Sequence, residues 1–129
     1  NPYAPHNHVE NCVVYTGTHD NNTIRGWFEN ETSADDRRRV YRYLGFWTDP
    51  HDKAAIPGDL AWHFARLALS SVARLAVIPM QDLLGLGQEA RMNTPAVPRD
   101  NWTWRALPSH FSDDLAASLR ELTDLFGRL

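Results

Sequence analysis

The densest group of chemically active side chains lies in residues 16–23, directly after an apolar run at residues 12–15. It places a histidine and a carboxylate side by side, His19 and Asp20, and two asparagines follow them. A carboxylate in such a setting can stabilise a developing positive charge or accept hydrogen bonds from sugar hydroxyls. Asp and Asn are also common in ordinary turns and helix N-caps. On the residue types alone, the functional and the structural interpretation both stay open.

A second polar group, residues 81–95, follows the apolar run at residues 76–80. Within it, residues 85–90 match the pattern G-x-G-x-x-A of dinucleotide-binding loops. In that motif the glycines follow the strand at once and open a helix. Here four residues intervene, Thr94-Pro95 interrupts the continuation, and no acidic residue stands near the expected distance. Nucleotide binding is therefore not predicted.

Histidines and one carboxylate raise the alternative of a metal site. His6 and His8 form an H-x-H pair, which could join the His19-Asp20 dyad as imidazole and carboxylate ligands. The pair lies in a proline-flanked segment instead of alternating along a strand, so no metal and no cofactor is expected. Cys12 lies in the first apolar run, where we interpret it as a small buried hydrophobe and not as a nucleophile.

The elements that must position these groups alternate between strands and helices, which favours an α/β fold. Residues 12–15 and 76–80 are predicted strands, and both are expected to be buried on both faces because neither alternates. We expect them to be parallel neighbours. Pro79 should end the second strand or cost it a hydrogen bond.

Helical patterns fill most of the remaining chain. A helical turn is predicted at 24–28, and a helix from an N-cap at Ser33 to a stop at Gly45. Apolar spacing predicts a helix from residue 60 to Leu75, after turns at 48–50 and 57–59, whereas residues 81–110 show no clean period. A last helix follows the N-cap Ser112, with an inward stripe of Leu115, Leu119, Leu122, Leu125 and Phe126.

Composition bounds the class of protein. The 129 residues contain 43% hydrophobic side chains, which is enough for a folded core. A net charge of -3 leaves no basic face for nucleic acid. No apolar run reaches a membrane span of about 20 residues, and no signal peptide is recognised. The single cysteine excludes an internal disulfide and favours a reducing, cytoplasmic location.

The strand count raises a difficulty for a free-standing fold. Two fully buried parallel strands need neighbours on both sides, and the sequence offers no other convincing strand. A sheet of two parallel strands is a poor independent fold. The chain therefore resembles part of an α/β barrel, in which the carboxyl ends of the strands carry the active site.

Longer sequence motifs also indicate part of an α/β barrel. Residues 13–28 resemble a late barrel strand and loop of amylomaltases, the 4-alpha-glucanotransferases. Residues 81–95 and 101–105 resemble the last strand and loop of that family, and residues 1–7 the stretch before the first string. The resemblance covers essentially the whole chain. It implies that residues 1–129 are the last two βα units of a (β/α)8 catalytic barrel, helix-rich as an isolated fragment and without a separate second domain.

The resemblance also implies an activity, namely transfer of α-1,4-glucan segments between maltooligosaccharides with retention of configuration, as in starch, glycogen and maltodextrin metabolism. Carried over by motif, Asp20 is the third catalytic carboxylate, which stabilises the transition state, and His19 binds sugar hydroxyls. Arg91, Asn93 and Trp102 are expected to contact the glucan. Loop bracing for Arg91 and Asn93, and core packing for Trp102, stay open as alternatives.

The departure from the family pattern is as informative as the match. The family's nucleophilic Asp and acid/base Glu lie after earlier strands, in stretches that this chain does not contain. Retaining chemistry needs two carboxyls about 5 to 5.5 Å apart. We therefore expect the isolated chain to be inactive and, through its exposed strand edges, to self-associate. The alternative is a non-catalytic carbohydrate-binding or interaction module. The two are distinguished by whether the coding frame continues upstream into an Arg-x-Asp motif at a strand end and a later Glu.

Overall fold

Two short parallel strands and five helices make up the computed structural model, which describes residues 1–46 and 59–129. The strands are β1 (Val13–Tyr15) and β2 (Leu75–Val77). The turns predicted at residues 48–50 and 57–58 fall outside the described residues. The helices are α1 (Ile24–Asn30), α2 (Ala34–Tyr43), α3 (Leu60–Ser70), α4 (Met80–Leu83) and α5 (Asp113–Leu125), with single 3-10 turns at Pro5–Asn7, Gln88–Ala90 and Pro108–His110.

The two strands pair in parallel, with Val13 opposite Leu75 and Tyr15 opposite Val77. The prediction of parallel neighbours is thus confirmed. The expected stop at Pro79 is confirmed, because β2 ends before this residue, which is the N-cap of α4. The part of the prediction that extends the strand to Met80 is wrong. Proline has no N–H for a strand hydrogen bond, and its fixed φ suits the start of a helix.

The sheet is covered on one face only, so the prediction that both strands are buried on both faces is wrong. Side chains alternate along a strand, and the first and third residues of each strand share a face. Those residues are exposed: Val13 by 44%, Tyr15 by 53%, Leu75 by 54% and Val77 by 38%. Among the described residues no element packs over this apolar face.

Local capping chemistry explains where the first two helices begin and end. The hydroxyl of Thr23 accepts the backbone N–H of Gly26 (3.0 Å) at the start of α1. Ser33 and Asp36 form a reciprocal capping box at the start of α2, as the N-cap prediction requires. Gly45, with φ +86°, follows the last turn of α2 in the left-handed conformation that glycine adopts freely.

The third helix is shorter than its apolar spacing predicts. It ends at Ser70, and Leu75, which was expected to extend the helix, belongs to β2. The Arg128 guanidinium donates to the backbone oxygens of Leu69 (2.6 Å), Ser71 (2.6 Å) and Ala73 (2.7 Å). Since the last carbonyls of a helix need such partners, Arg128 stabilises this early end.

The core lies between helices α1, α2 and α3 and not in the sheet. Its centre is Phe28, which is fully buried, and the ring of Tyr41 meets it edge-on at 5.5 Å. Trp27 packs beside the core against Phe64. The buried members are Ile24, Phe28, Tyr41, Leu60 and Ala61.

The last helix begins as predicted, because the Ser112 hydroxyl accepts the Leu115 N–H (3.2 Å). Its predicted stripe is half-buried, except that Leu125 is exposed, which contradicts that part of the prediction. None of the helices in the described parts of the chain has the length and apolarity needed to cross a membrane.

Candidate functional site

The loop that leaves the carboxyl end of β1 carries the His19-Asp20 dyad at its tip. Asn21 shapes this loop, because its Oδ1 accepts both the backbone N–H (2.8 Å) and the hydroxyl (2.9 Å) of Thr18. The backbone N–H of Asn21 in turn donates to the carbonyl of Thr18 (3.1 Å). The tight turn leaves the His19 and Asp20 side chains 60% and 50% exposed.

The loop after β2 reaches across to this dyad. The side-chain amide of Asn93 donates to Oδ1 of Asp20 (2.6 Å), and the Asn93 backbone N–H donates to the carbonyl of His19 (3.0 Å). Nε2 of His19 lies 3.5 Å from the same Oδ1. Among the described residues no group donates to Oδ2 of Asp20. That oxygen can therefore accept hydrogen bonds from a ligand.

Arg91 joins the two loops through three separate contacts. Its Nη2 donates to the backbone oxygen of Asp20 (2.8 Å), and its Nε donates to the backbone oxygen of Asn93 (2.9 Å). Its Nη1 forms an ion pair with Glu31 (3.2 Å), whose carboxylate also accepts the side-chain amide of Asn22 (2.8 Å). These contacts correspond to the bracing alternative for Arg91.

Trp102 completes the group from farther along the chain. The centre of its ring lies 5.2 Å from the centre of the His19 ring at a tilt of 37°, and the residue is half-exposed. Its backbone N–H donates to the carbonyl of Met92 (2.6 Å). Trp102 has φ +62°, a left-handed conformation that costs a bulky residue about 1 kcal/mol or more. Ala96 and Asp100, earlier in the same segment, have positive φ as well.

An open cavity of about 510 Å³ lies beside the dyad, between the two loops and the exposed face of the sheet. Tyr15 and Val77 supply apolar wall, while His19 and Gln81 supply polar groups. A concave, mostly apolar surface with a few polar groups is the usual form of a ligand site. Asp20 lines a second cavity of about 340 Å³, which shares Arg91 and Asn21 with the first. The polar groups of the two cavities can bind hydroxyl-rich ligands, and the Asp20 carboxylate can stabilise positive charge.

The structure brings together all five residues that the sequence analysis proposed for the site: His19, Asp20, Arg91, Asn93 and Trp102. It does not bring the metal candidates together. Nδ1 of His6 lies 2.9 Å from the Tyr43 hydroxyl, and Nδ1 of His8 lies 2.7 Å from the Ser71 hydroxyl. Within residues 1–46 and 59–129 no cluster of three metal-binding side chains occurs.

Three residues next to the site, which were not predicted to belong to it, help to position its loops. Asp82 is buried and accepts hydrogen bonds from Thr16 and Ile24. Gly26 lets α1 approach the segment after β2, because a Cβ there would collide with Asn22 and lie 2.8 Å from the Gln88 nitrogen. Glu31 pairs with Arg91. An acidic residue three positions after a strand-ending proline was a usable signal for Asp82. No such signal existed in the sequence for Gly26 or Glu31.

Comparison with known proteins identifies the family. The family model described as 4-alpha-glucanotransferase matches residues 1–109. The chain belongs to the 4-alpha-glucanotransferase family. The resemblance drawn from the motifs in residues 13–28 and 81–105 is thereby confirmed.

Individual members of the 4-alpha-glucanotransferase family match along the whole chain. The chloroplastic/amyloplastic enzyme of Arabidopsis thaliana is 46% identical over 132 residues, which are 100% of this chain and 21% of that protein. The 4-alpha-glucanotransferase of Thermus thermophilus is 43% identical over 131 residues, again 100% of this chain and 25% of the relative. The chain thus spans between a fifth and a quarter of the length of these relatives.

A solved family member has the same fold over this segment. An amylomaltase from Streptococcus agalactiae, determined in complex with acarbose, superposes with a TM-score of 0.80 at 32% identity. The match covers 96% of this chain and 23% of the amylomaltase. The helix-rich arrangement described above is therefore that of a segment of an amylomaltase.

Proposed function

We propose that this chain is the C-terminal segment of a 4-alpha-glucanotransferase that transfers α-1,4-glucan segments between maltooligosaccharides. In this proposal residues 1–129 form the last two βα units of a (β/α)8 barrel, and Asp20 is the third carboxylate of the active site. The family membership supports the reaction, and the acarbose complex of the amylomaltase relative supports an oligosaccharide ligand.

The sheet supports the barrel. β1 and β2 are parallel neighbours, and each is followed by a polar loop and a helix. The exposed face with Val13, Tyr15, Leu75 and Val77 has the apolar composition of a barrel interior. In a closed barrel, strands from the other three quarters of the protein cover that face, and both unpaired strand edges find partners.

The single observation that carries the proposal is the hydrogen bond from Asn93 to Asp20. It joins the loops at the carboxyl ends of two neighbouring parallel strands, which is where barrel enzymes place their active sites. Among the described residues, hydrogen-bond donors contact one carboxylate oxygen of Asp20, and we infer that the other oxygen accepts from a bound sugar. An oxocarbenium-like transition state gains from hydrogen bonds to ring hydroxyls that strengthen as charge develops.

The other site residues take distinct roles around Asp20. His19 donates to or accepts from sugar hydroxyls beside it, and Trp102 offers its ring as an apolar surface for a sugar face. Asn93 orients the Asp20 carboxylate and borders the same subsite. Arg91 contacts the glucan only at its edge, since its guanidinium already braces both loops.

Asp20 supplies neither a nucleophile nor a proton donor in this mechanism. Those steps need two carboxyls about 5 to 5.5 Å apart on either side of one glycosidic bond. We assign them to an Asp and a Glu in the preceding part of the barrel. The isolated 129-residue chain is therefore inactive. A cytoplasmic location belongs to the same proposal and rests on the single cysteine.

A hybrid enzyme tests this function. In it, the present chain replaces the matching last quarter of the Thermus thermophilus relative, which is 43% identical to it. We expect the hybrid to convert maltotriose into longer and shorter maltooligosaccharides, as followed by chromatography of the products. The isolated chain and the truncated relative, assayed separately, should both leave maltotriose unchanged.

The outcomes separate the two classes of function. A folded hybrid without transfer activity, or turnover by the isolated chain, would contradict the proposal. An isolated chain that binds maltoheptaose while the hybrid stays inactive would favour a carbohydrate-binding module that uses Trp102 and His19.

A further inference from the structure

A buried carboxylate in the wall of the 510 Å³ cavity connects to both ends of the loop that carries Asp20. Asp82 lies in α4, three residues after Pro79, and only 2% of its surface is exposed. Its Oδ1 accepts the backbone N–H of Ile24 (2.8 Å), and its Oδ2 accepts the hydroxyl of Thr16 (3.1 Å). Thr16 is the first residue after β1, and Ile24 is the first residue of α1.

The charge of Asp82 has no cationic partner among the described residues. A carboxylate that is buried without a cation lowers stability unless hydrogen bonds compensate it. Burial raises the pKa of the Asp82 carboxyl, whereas the bonds from Ile24 and Thr16 oppose that rise. An apolar side chain would fill the same space at a lower cost. The position is therefore better explained by the two donors that it holds than by packing.

The geometry points to Asp82 as a positioning residue for Asp20. We propose that its carboxylate, by holding Thr16 and Ile24 at once, closes the base of the Asp20 loop and sets where the Asp20 carboxylate stands. The proposal rests on the function proposed above, because it assigns Asp82 a role in that reaction through Asp20.

Different residues hold the base and the tip of the loop that carries Asp20. Asp82 holds the base, while Asn93 and Arg91 hold the tip. All three belong to the chain after β2, so the second βα unit positions the catalytic loop of the first. A displacement of about 1 Å at a reacting group can cost about 100-fold in rate. Loss of the base contacts is therefore expected to lower kcat far more than it weakens substrate binding.

Asp82→Ala and Asp82→Asn in the hybrid enzyme form the first test. Alanine removes both acceptors. Asparagine keeps both contacts, because its oxygen can accept from Ile24 and its amide can donate to the Thr16 hydroxyl, which is also an acceptor. We expect Asp82→Ala to lower kcat about 10- to 100-fold with KM changed less than about threefold, and Asp82→Asn to recover most of that loss.

Three further variants guard against a result that reflects only stability. Thr16→Val removes one donor and Thr16→Ser retains it, so the first should lower kcat and the second should not. Leu69→Ala, in the buried part of α3 away from the loop, is the matched destabilising control and should leave kcat unchanged. If Asp82→Ala fails to fold, the Thr16 pair carries the test.

Hydrogen exchange of the amides at residues 17–23 gives a readout that does not need activity. It should rise in Asp82→Ala and Thr16→Val but not in Leu69→Ala. Unchanged exchange, or raised exchange with wild-type kcat, would overturn the proposal. If the unmodified hybrid is inactive, the proposed function fails, and the exchange alone then decides whether Asp82 holds the loop.

Discussion

The helical region of this chain (helices α1, α2 and α3) and its two-stranded sheet both carry apolar side chains, but only those of the helical region are covered. Phe28 is fully buried among α1, α2 and α3, whereas Tyr15 on the sheet is 53% exposed. Helices α1, α2 and α3 find apolar partners in one another. The sheet face has none among the described residues, although its side chains are equally hydrophobic. In the proposed barrel, the strands that precede this segment would cover that face.

This division also explains where the site lies. The polar loops lie at the carboxyl end of the sheet, which is covered on one face only. Asp82 accepts the Ile24 N–H where the first loop enters α1, and Gly26 lets α1 lie close to the segment after β2. The chain thus brings its own positioning contacts to the site. What it lacks is the opposing wall that carries the nucleophile and the acid/base residue in the proposed function.

The largest expected effect comes from truncating the centre of the helical core. Phe28→Ala should lower the free energy of unfolding by about 3–5 kcal/mol, because it removes a fully buried ring and leaves a cavity. Urea unfolding of the dilute 129-residue chain, followed by circular dichroism, measures this loss. Tyr15→Ala on the open face is the matched aromatic control and should change stability by no more than about 0.5 kcal/mol. Equal losses would contradict the comparison.

The next effect concerns self-association through the open sheet face. Leu75→Lys places a charge at the centre of that face and should raise the dissociation constant of the oligomer at least about tenfold, since burying one Leu contributes about 1.5–3 kcal/mol. Sedimentation velocity over a concentration series measures it.

Val72→Lys is the matched control for this experiment. Val72 is exposed but lies outside both strands, so its substitution should leave association unchanged. A wild-type chain that remains monomeric at high concentration would show that the face needs no partner.

The smallest effect is a pH dependence within the helical region. The Ser33 hydroxyl and backbone N–H, which bond the Asp36 carboxylate, lower its pKa. Because the folded pKa lies below the unfolded value of about 3.9, Asp36 stabilises the fold above that pH and loses this contribution as the pH falls through the folded pKa. The stability difference between wild type and Asp36→Asn should be constant at pH 5–7 and narrow below about pH 4.

Ser33→Ala supplies the check on this mechanism. Without the Ser33 hydroxyl, the stability difference on replacing Asp36 should vary less with pH. A difference that widens towards acid pH would have the wrong sign and would contradict the capping account.

Local signals in the sequence predicted the helix starts at Ser33 and Ser112 and the stop at Gly45, because capping depends on neighbouring residues. The helix end at Ser70 could not be predicted in this way. It depends on Arg128, more than fifty positions away in the sequence. The prediction that both strands are buried failed for a related reason, because an apolar run does not indicate whether the elements that would cover it are present.

The candidate site was predicted as a set of residue types, and its geometry was not. The order of the motifs pointed to Asp20 and Asn93, but not to the 2.6 Å hydrogen bond between them. Nothing in the sequence indicated that Arg91 would contact the Asp20 backbone, nor that Trp102 would adopt a positive φ and lie against His19. Such features arise from contacts between distant loops.

Asp20 in the assembled hybrid enzyme offers the most direct test of the central claim. Asp20→Asn keeps the size of the side chain and removes its negative charge. If this carboxylate stabilises the transition state, kcat for maltotriose disproportionation should fall about 100- to 1,000-fold or more with little change in KM. Asp124→Asn, on the distant α5, is the matched control and should retain wild-type kcat.

The decisive measurement is therefore the kcat of the Asp20→Asn hybrid relative to the unmodified hybrid. A loss of two or more orders of magnitude, with normal folding and normal Asp124→Asn activity, is the predicted result. A rate within about twofold of the unmodified hybrid would contradict the assignment of Asp20 to the active site.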